Sequence, residues 1–290
     1  MKDMNSGTIE EIEPRLIPEL ECEIFTLALH NHGQDKLNLL LVAKRVHSWL
    51  VPLTYRSLFI NDYRYPPAAG LERYGHLAEN VLVMSLLTPK IPPDTILRCC
   101  PNIRNLAFWG AVYLTERVFD LTKLTHLFMR GTSFFEPYYR TLLSDSQSEN
   151  PTHTIPRIKI QNLFSSITHL ALYERLALDT PQGTSVPTSI RILQAFTSLS
   201  HLSLYEYSPE GAFSLALTHL PKLKVLIYLH CVYEDAEKSF VIPCRWTLRH
   251  LSTTDHRLVL MNGHFTEDWK RGVSGEKDIW KLAEEAIAKR

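Results

Sequence analysis

The stretch Leu124–Thr–His–Leu–Phe–Met129 returns as Ile167–Thr–His–Leu–Ala–Leu172 and again as Leu199–Ser–His–Leu–Ser–Leu204. Looser copies bring the total to six, with central leucines at positions 106, 127, 170, 202, 226 and 251. The L-x-L ending of the template has a period of two, which is typical of a β-strand. Because segments of helical pattern separate the copies, the sequence predicts an α/β fold with a parallel sheet and outer helices.

The spacing of the copies indicates which kind of α/β fold is expected. The central leucines are 21, 43, 32, 24 and 25 residues apart. The phrase and its spacing resemble the leucine-rich repeat, whose unit has about 20–29 residues. The resemblance implies an irregular leucine-rich-repeat solenoid over residues 61–265, with a curved parallel sheet and an earlier strand at Val81–Met84. The interval of 43 leaves two interpretations of residues 133–162, a hidden repeat or an inserted loop.

Helices are predicted between the copies and at the C-terminus. The segments with helical apolar spacing lie at residues 94–100, 115–121, 189–196 and 210–220. Residues 266–290 are predicted to hold a loop and then an amphipathic helix with Ile279, Leu282 and Ala283 on its apolar stripe. This helix is predicted to cap the open end of the solenoid. The other interpretation is a tail that binds a partner.

The first sixty residues have a different pattern. Residues 1–13 are polar and are predicted to form a flexible tail. Leu20, Ile24 and Leu27 share one face of a predicted helix. A second helix is predicted over residues 35–50, which Pro52 ends or bends.

Residues 14–60 resemble the F-box, a helical module that binds a Skp-type adaptor protein. The first half of the resemblance is Leu16–Ile–Pro–Glu–Leu20 with Ile24–Phe25. The second half is Leu40–Leu–Val–Ala–Lys–Arg–Val–His–Ser–Trp49, followed by Pro52, Leu53, Tyr55 and Arg56. Both halves occur in the order and style of fungal F-box-like proteins. One position departs, because Ile17 stands where the family has proline and Pro18 follows it.

The F-box resemblance also implies which residues contact the adaptor. They are Leu16, Pro18, Leu20, Ile24, Val42 and Trp49. The other interpretation is that these residues pack a helical cap over the first repeat, because apolar helix faces are more often core than interface.

The residues between the strand leucines form three predicted ladders on one face of the sheet, because neighbouring strands lie about 4.8 Å apart. One ladder holds four of the 13 histidines, at positions 126, 169, 201 and 250. Zinc accepts imidazole ligands, but a straight row gives poor tetrahedral geometry, so no metal site is predicted. The other ladders supply the predicted cargo-binding residues, which are Trp109, Phe128, Arg130, Tyr173 and Tyr205. Aromatic residues and arginine dominate binding hot spots, although these rings could instead support neighbouring strands.

Composition argues against several classes of function. Lys plus Arg equals Asp plus Glu at 31 each, whereas nucleic-acid-binding proteins normally carry a basic excess, so no nucleic-acid partner is predicted. The N-terminal residues lack an apolar signal core and no run of 18 apolar residues occurs, so no membrane association is predicted. The five cysteines include no C-x-x-C pair, which favours a reduced protein of the cytoplasm or nucleus.

The sequence contains no phosphate-binding glycine loop, nucleophile elbow or H-E-x-x-H motif. We therefore predict neither an enzyme nor a cofactor. The F-box resemblance implies a substrate-recruiting adaptor subunit of a cullin–RING (SCF-type) ubiquitin ligase, with an unidentified cargo protein bound by the solenoid. The alternative is a solenoid protein-binding module that is not incorporated into a ubiquitin ligase.

Overall fold

The computed structural model describes residues 16–31, 36–61, 68–85, 91–110, 114–143, 155–173, 176, 178, 186–205, 208–231 and 246–290. The chain divides into two compact units between Arg56 and Ser57. We call the described residues up to Arg56 the helical unit and those from Ser57 onward the sheet unit. The predicted tail, residues 1–13, lies outside the described residues.

The helical unit forms α1 (Pro18–Asn31), α2 (Lys36–Leu39) and α3 (Lys44–Tyr55). Pro18 is the first residue of α1, where its missing N–H has no helical partner to lose. Glu19 and Glu21 lie in the same turn, near the positive end of the helix dipole. The core of the unit consists of Leu29, Val46 and Leu50, all at most 3% exposed.

The prediction of one helix over residues 35–50 is wrong. The chain turns between α2 and α3, and the N–H of Leu41 donates to the Asn38 carbonyl there. This turn leaves Leu41 and Val42 exposed. Helix α3 then continues through Pro52 to Tyr55, at the cost of one backbone hydrogen bond.

The sheet unit is built on one parallel sheet whose eight described strands follow each other in chain order. The strands are β1 (Ser57–Asn61), β2 (Asn80–Ser85), β3 (Asn105–Gly110), β4 (His126–Met129), β5 (His169–Leu172), β6 (His201–Tyr205), β7 (Val225–Cys231) and β8 (Leu258–Gly263). The predicted α/β fold with a parallel sheet is confirmed. Five of the six central leucines pair in register across β3 to β7, and the predicted early strand is β2. The sheet starts before the predicted boundary at residue 61, because β1 pairs with β2.

Helices connect the strands of the sheet unit. The α-helices are α4 (Ala68–Tyr74), α5 (Pro93–Cys99), α6 (Glu136–Leu143), α7 (Arg157–Ser166), α8 (Thr188–Ala195), α9 (Glu210–His219), α10 (Trp246–Thr254), α11 (Phe265–Val273) and α12 (Ile279–Ala288). Short 3-10 helices span Gly75–Leu77, Glu116–Asp120 and Ser133–Phe135. A proline in extended or polyproline-like conformation directly precedes four of the α-helices, at Pro92, Pro156, Pro187 and Pro209. Proline before a helix suits its fixed φ, and it ends the preceding segment cleanly.

The structure resolves two predictions about the repeats, one on residues 133–162 and one on the strand around Leu251. Strand β4 pairs directly with β5, so no further strand lies between these two in the sheet, and the interval of 43 residues is instead an insertion whose described part includes α6 and α7. The sixth predicted strand is wrong, because Leu251 lies on α10. Leu248 and Leu251 are three residues apart, a spacing that suits one face of a helix as well as the repeat template. The last strand is β8, which no copy of the template predicted.

The C-terminal segment, residues 265–290, differs from its prediction in two ways. Helix α11 occupies the region that was predicted to be a loop, whereas α12 confirms the predicted helix. Both helices pack across one face of the sheet and do not simply cover its last strand. Contacts from this segment reach Phe59 of β1 and His169 of β5. We call residues 265–290 the C-terminal strap.

Candidate protein-binding surfaces

Most of the exposed large apolar side chains of the described chain lie in the helical unit. They are 37–82% exposed and comprise Leu16, Ile17, Leu20, Ile24, Leu27, Leu41, Val42 and Leu53, which we call the apolar set. The described part of the sheet unit has two comparable side chains, Leu143 and Ile158. An exposed apolar set of this size on a small unit is typical of a protein-binding surface.

Three members of the apolar set lie on α1, which carries apolar residues on two sides. Phe25 and Leu29 are four residues apart and belong to the core. Leu20, Ile24 and Leu27 follow the same helical spacing on another side and are about half exposed. One side of the helix thus stabilises the unit, while the other side contributes nothing to its core.

The six predicted adaptor-binding residues do not all lie on the surface. Five of them are exposed, namely Leu16, Pro18, Leu20, Ile24 and Val42. The sixth, Trp49, is only partly exposed and packs against the buried core of Leu29, Val46 and Leu50. Its described contacts hold α3 in place within the unit.

An ion pair joins α1 to α3 beside the apolar set. The Arg45 guanidinium donates two hydrogen bonds to the Glu21 carboxylate, at 2.8 and 2.7 Å. These hydrogen bonds lower the pKa of Glu21 and raise the pKa of Arg45. The bidentate geometry fixes the relative orientation of the two helices more tightly than a single contact would.

The predicted cargo-binding rings do come together on the sheet. The ring centroids of Trp109 and Tyr173 are 4.7 Å apart, and those of Phe128 and Tyr173 are 5.4 Å apart. Tyr205 lies 6.0 Å from Phe128 in an edge-on arrangement. Aromatic pairs in these geometries are favourable, so the four rings form one cluster.

Burial separates these residues into two groups. Tyr205 is 1% exposed and Phe128 is 6% exposed, so both belong to the core and support neighbouring strands. Trp109 and Tyr173 are partly exposed, and Arg130 is exposed just beyond the end of β4. Of the five predicted cargo-binding residues, Trp109, Arg130 and Tyr173 are therefore accessible at least in part, while Phe128 and Tyr205 are buried. We call the first three residues the ring rim.

Three of the four predicted ladder histidines form a stack. The imidazole centroids of His126 and His169 are 4.0 Å apart, and those of His169 and His201 are also 4.0 Å apart. A hydroxyl from the preceding residue lies within 2.9 Å of each Nδ1 atom. The fourth histidine, His250, lies on α10 and does not join the stack.

Burial keeps the stacked imidazoles uncharged. It lowers the pKa of His126 to about 4. Burial, together with the two neighbouring imidazoles, lowers the pKa of His169 to about 2. The pKa of His201 is lowered by burial more than it is raised by the carboxylate of Glu284. Among the described residues, no group of three or more His, Cys, Asp or Glu side chains is arranged to hold a metal ion.

No protein-family model matches the chain, and no curated protein matches it. The resemblances to the F-box and the leucine-rich repeat therefore rest on the motifs quoted above. In the described part of the chain, no helix has the length and apolar content needed to cross a bilayer.

The strap over the histidine stack is the main feature that sequence reasoning missed. The ring of Trp280 lies 5.3 Å from that of His169, and the Glu284 carboxylate is 3.1 Å from His201 Nε2. Ile279 and Ala283 are buried in one apolar cluster with the face of the sheet that carries the ladders. The apolar stripe of α12 was visible in the sequence, but nothing local indicated which surface it would cover.

Proposed function

We propose that this chain is a substrate-recruiting adaptor subunit of a cullin–RING (SCF-type) ubiquitin ligase. The helical unit binds a Skp-type adaptor, and the leucine-rich-repeat-like sheet unit binds a cargo protein. The observation that carries this proposal is the apolar set, which includes four of the six predicted adaptor-binding residues. The buried core of the helical unit is made from other side chains. The chain itself does no chemistry in this role. It holds the cargo close to the ligase and so raises its effective concentration.

The energetics of the apolar set favour a protein partner. Complete burial of one large apolar side chain contributes about 1.5–3 kcal/mol. Burial of several such side chains from α1 and from the turn at Leu41–Val42 would offset the entropy lost on association. The ion pair between Glu21 and Arg45 holds α1 and α3 in position, which reduces the cost of ordering the surface.

Co-purification of the full chain with a Skp-type adaptor tests the adaptor half of the proposal. The double variant Leu20→Asp/Ile24→Asp is expected to retain at least about tenfold less adaptor, because two charges would have to be buried in an apolar interface. Thermal unfolding should be nearly unchanged, since both side chains are about half exposed.

The matched control is Leu143→Asp/Ile158→Asp, which changes two similarly exposed side chains of the sheet unit. It is expected to retain the adaptor at the level of the unaltered chain. Equal retention by all three proteins would contradict the assigned surface. If the unaltered chain retains no adaptor, the alternative of a protein-binding module outside a ubiquitin ligase is favoured.

The ring rim is the proposed contact with cargo. Trp109→Ala/Tyr173→Ala is expected to reduce cargo capture, because partly exposed aromatic residues contribute strongly to interfaces. Tyr205 is unsuitable for this test, since replacing a fully buried ring would destabilise the sheet unit. Tyr139→Ala, which removes a partly exposed ring from α6, serves as the control. Cargo capture that is the same for both variants would argue against the ring rim.

A further inference from the structure

A cavity of about 100 Å³ lies between the face of the sheet that carries the ladders and the C-terminal strap. Its polar and aromatic lining includes Asn105, His126 and His169 from the sheet and Trp269, Asp278 and Trp280 from the strap. Such a combination of apolar walls with a few converging polar groups is typical of small-molecule sites.

The Nε2 atoms of the three stacked histidines have different surroundings. His201 Nε2 lies 3.1 Å from the Glu284 carboxylate and does not line the cavity. His126 and His169 do line the cavity, and the hydrogen bonds shown for their rings are made at Nδ1. The strap therefore satisfies one of three equivalent groups and leaves the other two facing the cavity.

The hydrogen bonds of His201 assign the position of its proton. A carboxylate only accepts hydrogen bonds, so the neutral His201 carries its proton on Nε2. Its Nδ1 atom then accepts from the Ser200 hydroxyl at 2.8 Å.

The same assignment holds for the other two imidazoles. The hydroxyl of Thr125 lies 2.9 Å from His126 Nδ1, and that of Thr168 lies 2.8 Å from His169 Nδ1. The alternative acceptors of these hydroxyls, two backbone carbonyls, are farther away at 3.4 and 3.2 Å. The repeated geometry therefore directs two Nε2–H donors into the cavity.

Charge limits the kind of molecule that fits. The imidazoles are neutral at pH 7, while the carboxylates of Asp268 and Asp278 line the cavity. Two N–H donors need acceptor atoms, but the carboxylate of Asp278 disfavours an anion, and that of Asp268 does so to a lesser extent because it is paired with Arg271. The apolar walls, which include Phe128 and Ile279, favour a hydrocarbon ring.

We propose that this cavity binds a small uncharged molecule with an apolar ring and an oxygen acceptor, such as a cyclic ketone, an alcohol or a phenol. The oxygen accepts hydrogen bonds from the Nε2–H groups of His126 and His169, and the ring contacts Trp269, Trp280 and Phe128. This site goes beyond the proposed adaptor function and does not depend on it.

Cyclohexanone is a suitable probe, and the imidazole nitrogen resonances of the ¹⁵N-labelled full chain at pH 7.5 are the readout. The Nε2 resonances of His126 and His169 are expected to shift saturably, with a Kd of about 1 mM for so small a ligand. The Nε2 resonance of His201 should shift little, because this atom already forms a hydrogen bond with the Glu284 carboxylate. Cyclohexanecarboxylate, which has a similar ring and a negative charge, is expected not to bind.

His126→Phe and His169→Phe keep a ring at each position and remove the N–H donor. Each variant is expected to weaken cyclohexanone binding about tenfold, the usual value of one hydrogen bond to a ligand. If the unaltered chain shows no saturable shift up to 20-fold above the expected Kd (about 20 mM), the cavity is only a hydrated void and the proposal is overturned. Equal shifts at His201 and at exposed histidines would overturn it too. Neither result bears on adaptor co-purification, so the two proposals can fail separately.

Discussion

Leu20 in the helical unit is 48% exposed, whereas Leu202 in the sheet unit is fully buried. The same contrast runs through both units. The helical unit closes a small core around Leu29, Val46 and Leu50 and leaves a larger apolar set outside. The sheet unit buries apolar residues on both faces of its sheet, with helices on one face and the strap on the other.

The difference indicates that the two units are stabilised in different ways. In the sheet unit most strand leucines, including Leu106, Leu170 and Leu202, are covered by the chain itself. In the helical unit, part of the apolar sequence forms a surface that does not contribute to the core of the unit. An exposed apolar surface of this kind is typical of a site that another protein covers.

The largest expected contrast is between identical substitutions in the two units. Leu202→Ala should lower the free energy of unfolding of the sheet unit by about 3–4 kcal/mol, because it leaves a cavity at a fully buried position. Leu20→Ala should change stability by less than about 0.5 kcal/mol, since its side chain is half exposed. Urea denaturation measures both values. Similar costs for the two variants would contradict the contrast.

Acid should destabilise the sheet unit before the helical unit. The folded pKa of His126 is about 4 and that of His169 about 2, both below the ordinary value of 6.5. The unfolded chain therefore takes up protons first, so this stability is present above pH 6.5 and is lost as the pH falls towards the folded pKa values. At pH 5 the loss is expected to be about 1–2 kcal/mol for each histidine.

Glu21 provides the comparison within the helical unit. Its pKa is lowered by Arg45, so it stays charged between pH 7 and pH 5 and causes no loss in that range. Denaturation at both pH values, followed separately in the two units, measures the difference. The double variant His126→Phe/His169→Phe should flatten the response of the sheet unit. An unchanged response in this variant would show that other groups are responsible.

A smaller effect is expected where the first helices of the sheet unit pack closely. A Cβ atom on Gly75 would lie only 2.6 Å from the backbone oxygen of Cys99. Because backbone cannot move aside easily, Gly75→Ala should destabilise the sheet unit by about 1–3 kcal/mol. Gly275→Ala is an instructive comparison, because no atom lies within 4 Å of its Cβ position and only its positive φ opposes the change. A cost at Gly75 no greater than at Gly275 would be inconsistent with the close approach.

The smallest expected effect concerns the strap. Asp278 is the N-cap of α12 and accepts a hydrogen bond from the Lys281 N–H at 2.9 Å. Asp278→Ala should cost about 1 kcal/mol, and Asp278→Ser should restore most of this loss because serine is also a good N-cap. Thermal unfolding of both variants checks the prediction. A loss that serine does not restore would indicate a role for the carboxylate charge instead of the cap.

The sequence was sufficient for features set by local pattern. The strand copies around Leu127, Leu170 and Leu202 were predicted because register and spacing repeat along the chain. The strand predicted around Leu251 was wrong, because the leucine spacing in the first half of the template also fits a helix. The prolines before α5, α7, α8 and α9 also indicate where these helices begin, which the apolar pattern alone does not show.

The candidate site was less predictable because burial depends on distant segments. Nothing near Tyr205 or Phe128 in the sequence indicates that both rings are buried in the same cluster as Ile279 and Ala283 of the strap. The exposure of Leu20 and Ile24, by contrast, agrees with the interpretation that these motif residues are available to a partner.

Hydrogen–deuterium exchange of the full chain, with and without a Skp-type adaptor, tests the central claim most directly. Adaptor binding is predicted to protect amides of α1 and of the turn at Leu41–Val42, because the apolar set lies there. Exchange in β3 to β7 should not change. Protection confined to the sheet unit, or no protection of α1 at saturating adaptor, would contradict the account.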